Sequence, residues 1–178
     1  MVKFRALGQV LISIFFISLT LFILAPAVFA STDSYEQTLE KRDEKRLADL
    51  YRVNKGIKVI VKGAFDPKIL CNYSPLPCYG NSVVDSNAAD GTGWVKVNLT
   101  QFTNTLPVDP VNSPGGNGFH YSYCGDIPAG SLPGFELNTK LESLKYSPLM
   151  TTDGGDDSTL YEVGSNLTLM GVTSGCAY

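Results

Sequence analysis

Residues 9–30 carry no charge and are apolar almost throughout, from Val10, Leu11 and Ile12 through Phe15, Phe16 and Ile17 to Leu24, Val28 and Phe29. As a helix this run of about 22 residues rises about 33 Å, enough to cross a hydrocarbon core of about 30 Å. Lys3 and Arg5 precede it, which places the N-terminus on the cytoplasmic side and the rest of the chain across the membrane. Two fates fit the segment. Val28, Phe29 and Ala30 before Ser31 match the small-x-small rule of a signal-peptide cut, and Pro26 sits where the helix would break ahead of it. The other fate keeps residues 1–30 as a single membrane anchor.

Whichever holds, the exported part is residues 31–178, about 148 residues, the size of one domain with one core. A net charge of −3 supplies no basic field for phosphates, which excludes nucleic acid as a partner class. Cys71, Cys78, Cys124 and Cys176 all follow the apolar run, an even number in an exported chain, so two disulfides are expected.

Residues 36–61 are rich in helix formers. Leu39, Asp43, Leu47, Leu50, Tyr51, Asn54, Ile57 and Val61 recur at spacings of three and four, which predicts one amphipathic helix, capped within residues 31–34 and stopped by Gly63. Residues 58–62 have strand propensity as well, but the helical period favours helix. From Phe65 onward Pro, Gly, Asn, Asp and Ser break the chain into short apolar pieces, so residues 65–178 read as loop and sheet. Residues 66–78 read as an irregular loop and residues 94–102 as a short helix or strand. Residues 119–123 and 135–141 alternate apolar and polar side chains and predict two antiparallel strands, with weaker candidates at 160–163 and 167–170.

This order, α+β with a long N-terminal helix packed on a small antiparallel sheet and a loop-rich, disulfide-clipped C-terminal half, resembles the type IV pilins and the pseudopilins of type II secretion in bacteria. Residues 42–50 resemble the start of the soluble part of the pilin helix. Residues 106–112, with Pro107, Asp109 and Pro110, followed by 119–123, resemble the family's turn and aromatic strand. Residues 135–143, 153–157 and 160–163 resemble its later strand and closing loop. The resemblance implies a non-enzymatic structural role in a surface filament or secretion apparatus, with other pilin-like subunits or apparatus proteins and the membrane as partners. The N-terminus departs from it. Gln9 follows Gly8 where a prepilin has an aromatic residue or Met, and Ser13 stands at the fifth position in place of the Glu that registers one subunit on the next. A chain without that Glu is expected to be a poor filament subunit. The alternative function is a secreted or surface-anchored module that recognises a glycan or protein through its loops.

Candidate sites are few. His120, the only histidine, lies in an aromatic strand without a nucleophile context and reads as structural. No cluster has zinc spacing. Of the three connectivities open to four cysteines, Cys71 with Cys78 makes a local clip and Cys124 with Cys176 fastens the tail to the sheet; this pairing is the expected one. Asp153, Asp156 and Asp157, on a loop loosened by Gly154 and Gly155, present the closely spaced hard oxygens that calcium takes. The pseudopilin resemblance, a family with calcium in a C-terminal loop, supports that ligand. A solvated turn is the competing reading. Asp109 and Asp126 read as isolated turn carboxylates. The acceptor triplets at Asn72, Asn98 and Asn166 read as chance matches in an Asn-, Ser- and Thr-rich chain.

Overall fold

The computed structural model describes the backbone of residues 3–62, 66–72, 75–115, 118–126, 132–170 and 176, and within these the side chains from residue 33 onward except Pro67. Helix α1 (Lys3–Lys62) is followed by strands β1 (Cys78–Asn81), β2 (Ser122–Asp126), β3 (Gly134–Thr139) and β4 (Tyr161–Gly164), with short 3-10 turns at Pro67–Cys71 and Ser147–Thr151. The chain forms two compact units, Met1–Leu39 and Glu40–Tyr178. The first is helical over its described backbone. The expected Pro26 break and the cap at residues 31–34 are absent, because the helix continues through both. Among the described residues no helix is long and apolar enough to cross a membrane; the side chains of residues 9–30, on which the membrane expectation rests, lie outside them. Gly63, the expected helix stop, also lies outside them.

In the second unit the four strands follow one another in sheet order β1-β2-β3-β4, every pair antiparallel. Such a meander needs no crossover, and the α+β class is as expected. Register fixes the two faces. Tyr123 lies opposite Leu137, and Leu137 opposite Val163, so these side chains share one face with Phe135 and Tyr161. That face meets Leu50, Val53 and Ile57 of α1 in a core completed by Trp94, Val95, Val97, Leu99 and Tyr121. The buried side of the helix is largely the expected one, with Leu39, Asp43, Leu50 and Ile57 buried, but it also takes in Arg46, Asp49 and Val53 and leaves Tyr51 exposed.

The opposite face of the sheet is also covered. Cys124 packs there with Leu169, Met170 and Cys176, and all six residues of β3 are buried. Alternation in β3 predicts one wet face, but the C-terminal tail, fastened by the Cys124–Cys176 disulfide, excludes solvent from it. The second bridge, Cys71–Cys78, closes the loop ahead of β1, so the pairing is the expected one.

Several local expectations are corrected by where backbone groups find partners. Residues 119–121 are not strand, because Phe119 and Tyr121 exchange bonds with Ser113 and Ser82, and β2 starts at Ser122. Residues 94–102 are neither helix nor strand; the amides of Trp94 and Leu99 donate to Ser86 and Ala89 in the preceding loop. Residues 167–170 turn instead of pairing, since Asn166 Oδ1 accepts from Thr168 and the amides of Leu169 and Met170 donate to the Glu136 carboxylate. Cys78, read as the end of a loop, instead opens edge strand β1. Gly80 permits this: a Cβ there would lie 2.3 Å from the carbonyl oxygen of Trp94.

Candidate functional site

Three places in the second unit hold polar groups or open surface beyond what the core requires. The first joins α1 to the rest of the domain. Arg46, fully buried, donates from Nε to Asp109 at 2.7 Å, from Nη1 to Asp43 at 2.8 Å and Glu142 at 2.6 Å, and from Nη2 to Asp109 at 3.2 Å. Its guanidinium also lies 4.7 Å from the centre of the Phe119 ring. Asp43 in turn accepts from the amide of Ser143 at 2.8 Å and its hydroxyl at 2.6 Å, and Arg42 holds Glu142 with two bonds of 2.6 Å. Burial alone would lower the affinity of Arg46 for its proton, but Asp109, Glu142 and Asp43 together raise it above the ordinary guanidinium value. One turn further along, Asp49 accepts from Tyr121 Oη at 2.9 Å and pairs with Lys45 and Arg52. Burial, reinforced by the Asp49 charge, keeps Tyr121 neutral and donating. Asp109 is thus not an isolated turn carboxylate but the far anchor of a clamp between α1 and the loop after Leu106.

The second place is the tail-covered face of the sheet. Glu136, Asn138 and Glu162 share it and are almost wholly buried. One carboxylate oxygen of each Glu is used: Glu136 Oε2 accepts from Leu169 N at 2.7 Å and Met170 N at 3.0 Å, and Glu162 Oε2 accepts from Asp157 N at 3.1 Å. Glu136 Oε1, Glu162 Oε1 and both amide atoms of Asn138 have no hydrogen-bond partner. Burial pushes the Glu162 carboxyl up to about 9, with Glu136, close enough to share a proton, adding to the rise.

The expected calcium ligands lie in the loop above this face and serve the loop itself. Asp153 Oδ1 accepts from Gly155 N at 3.1 Å and its Oδ2 from Glu162 N at 2.8 Å, while Asp157 Oδ1 accepts from both Thr159 N and Oγ1. These bonds make Asp157 a turn-capping carboxylate and let Asp153 cap its own turn and tie it to β4; Asp156 stands exposed between them. Among the described residues no group of three or more His, Cys, Asp or Glu side chains is placed to hold a metal ion. His120 is buried, with Nδ1 3.3 Å from the Ser113 carbonyl oxygen, and burial lowers its pKa.

The third place is a groove of about 580 Å³ between α1 and residues 99–107. Val53, Gly56, Val59, Leu99, Phe102 and Leu106 give it an apolar floor, and Lys45, Arg52 and Lys55 stand at its rim. Val59 and Phe102 remain about half exposed, at 54% and 49%.

Sequence reasoning does not find Glu136 or Glu162. Both occupy the polar positions of alternating strands, and they are buried by distant segments: Glu136 by residues 169–170 and Glu162 by the loop at Gly155 and Asp157. No family model, curated protein or solved structure matches the chain.

Proposed function

We propose that the chain is a non-enzymatic structural protein of the pilin-like or pseudopilin-like kind, anchored by its N-terminal helix and acting as a component of a surface filament or secretion apparatus. The observation that carries this reading is the unbroken helix Lys3–Lys62, which runs through Pro26 and across the junction after Ala30. A signal peptidase takes its substrate as extended chain, so a helix at that junction favours retention of the anchor. The Arg46 clamp supports the same role, because it fastens the sheet domain to the end of that helix with charge pairs shielded from solvent. The apolar groove and exposed Tyr51, Val59 and Phe102 give neighbouring subunits a surface to pack on. With Ser13 in place of the registering Glu, the chain is a minor component and not the repeating subunit of a long filament.

Photo-crosslinkers placed at Tyr51 and Phe102 in native membranes test the proposal. Discrete adducts to another helical subunit or to an apparatus protein are the expected result; a protein that crosslinks to nothing from either position contradicts it.

The groove also favours a second reading, a secreted binding module, since an apolar floor with polar groups at its edge, Lys55 and the Asp49 pairs with Lys45 and Arg52, suits a protein or glycan ligand. That module needs no anchor and is released as a soluble chain beginning at Ser31.

A further inference from the structure

The covered face of the sheet contains an imbalance that the fold alone does not resolve. Glu136 and Glu162 bring two carboxylates out of water, and the described residues place no cationic side chain in hydrogen-bonding or ion-pair contact with either. An uncompensated buried carboxylate costs several kcal/mol. Arg46, Arg42, Lys45 and Arg52 are committed to the helix clamp, and Lys96 to Asp85. The neutralising charge must come from a proton or from a bound cation.

Geometry distinguishes the two. Asn138 lies directly opposite Glu162 in the β3–β4 register, and Glu136 lies opposite Gly164 on the same face. Cross-strand partners stand about 5 Å apart at Cβ, and residues two apart on a strand about 7 Å, so the three side chains form one compact triangle. Gly164 contributes no side chain to the fourth corner, so no strand side chain stands between Glu162 and its diagonal neighbour Glu136. A single shared proton satisfies Glu136 Oε1 and Glu162 Oε1 and leaves the buried Asn138 carbonyl oxygen orphaned. A cation satisfies all three oxygens together and leaves only Asn138 Nδ2 without a partner, where the shared proton leaves both amide atoms.

We infer that Glu136, Glu162 and Asn138 form a buried site for a hard divalent cation beneath the loop of residues 153–160. All three free acceptors are oxygens, which selects calcium, magnesium or manganese over zinc or copper. Two carboxylates match a double positive charge. The remaining oxygens of the two Glu residues are held by backbone amides of residues 157, 169 and 170, so the ligand side chains are oriented from outside the site. The cation thereby ties β3 and β4 to the closing loop and to the tail. This assignment differs from a site on the exposed loop, because Asp156 takes no part in it, Asp157 caps a turn, and both oxygens of Asp153 accept from the backbone amides of Gly155 and Glu162.

The test uses the full-length protein in detergent, stripped with chelator and then melted alone, with calcium and with magnesium. At a cation concentration about a hundredfold above Kd the midpoint is expected to rise by about 5–10 °C. Glu162→Gln removes that rise. Asn138→Asp, which adds a third carboxylate, lowers the midpoint of the stripped protein and enlarges the rise, and it keeps the test informative if Glu162→Gln does not fold. Asp156→Asn leaves the response unchanged. The inference is overturned if neither cation nor chelator moves the wild-type midpoint while Glu162→Gln raises it, the signature of a shared proton alone. It is equally overturned if the response survives Glu162→Gln and vanishes in Asp156→Asn.

Discussion

Replacing Arg46 with Met removes the centre of the charge clamp while keeping an unbranched apolar side chain in its place. The cost follows from what is left behind. Asp109 keeps the amides of Val111 and Asn112, Glu142 keeps Arg42, and Asp43 keeps Ser143. Asp43 and Asp109 are 0% and 4% exposed, however, and both lose their counter-charge. Breaking a buried pair by removing one partner costs about 3–5 kcal/mol, which for a chain of this size lowers the melting midpoint by roughly 6–20 °C. Near-UV circular dichroism of the detergent-solubilised protein reads the loss, since Trp94 is fully buried in the adjoining core and donates to Pro107 O at 2.9 Å, close to the clamp. The effect should be nearly independent of salt, because Arg46 is out of reach of screening ions. A triple variant, Arg46→Met with Asp43→Asn and Asp109→Asn, should recover part of the loss, since the stranded charges are then gone. A single-variant loss below about 1 kcal/mol, or a triple variant in which the losses simply add, would refute the claim that the clamp couples these residues.

Other substitutions probe the rest of the domain. Serine in place of Cys124 and Cys176 opens a loop of 52 residues and should cost about 4 kcal/mol in urea unfolding, against about 2.4 kcal/mol for Cys71 and Cys78 with a separation of 7; equal losses would contradict the role given to the tail. Gly155→Ala places a Cβ 1.8 Å from Glu162 Oε2 and should destabilise by about 1–3 kcal/mol, where a neutral result would show that the loop does not press on Glu162. Burial depresses His120 below its ordinary 6.5, so the unfolded chain binds the proton more readily and stability falls as pH drops through 6.5. His120→Gln should flatten that part of the stability–pH curve, and an unchanged slope would assign it to another group.

What the sequence discloses here is governed by how local each interaction is. The helix to residue 62 is legible because its period is local, and the β2–β3 pair because Phe135 and Leu137 alternate with Glu136 and Asn138. That four exported cysteines form two disulfides is legible, while the observed pairing is the preferred one of three that the sequence leaves open. The identity of the buried helix face is less legible: Arg46 looks like a solvated charge until Asp109, 63 residues on, is brought against it. Residues 94–102 have the composition of a strand yet find their backbone partners in loops, which no propensity encodes. The carboxyl pair is hidden for the same reason. Glu136 and Glu162 stand on the side of the sheet that alternation assigns to water; the tail reaches Glu136 through a disulfide and two hydrogen bonds from backbone amides, and the loop at Gly155 and Asp157 covers Glu162.

The central claim, an anchored structural component, turns on whether the N-terminal helix stays attached. Intact-mass spectrometry of the protein recovered from its producing cells, membrane and soluble fractions apart, measures this directly. A membrane-bound species whose mass includes residues 9–30 is the expected result. A soluble species whose mass begins at Ser31 would contradict it, because the released domain would have lost the helix on which assembly depends.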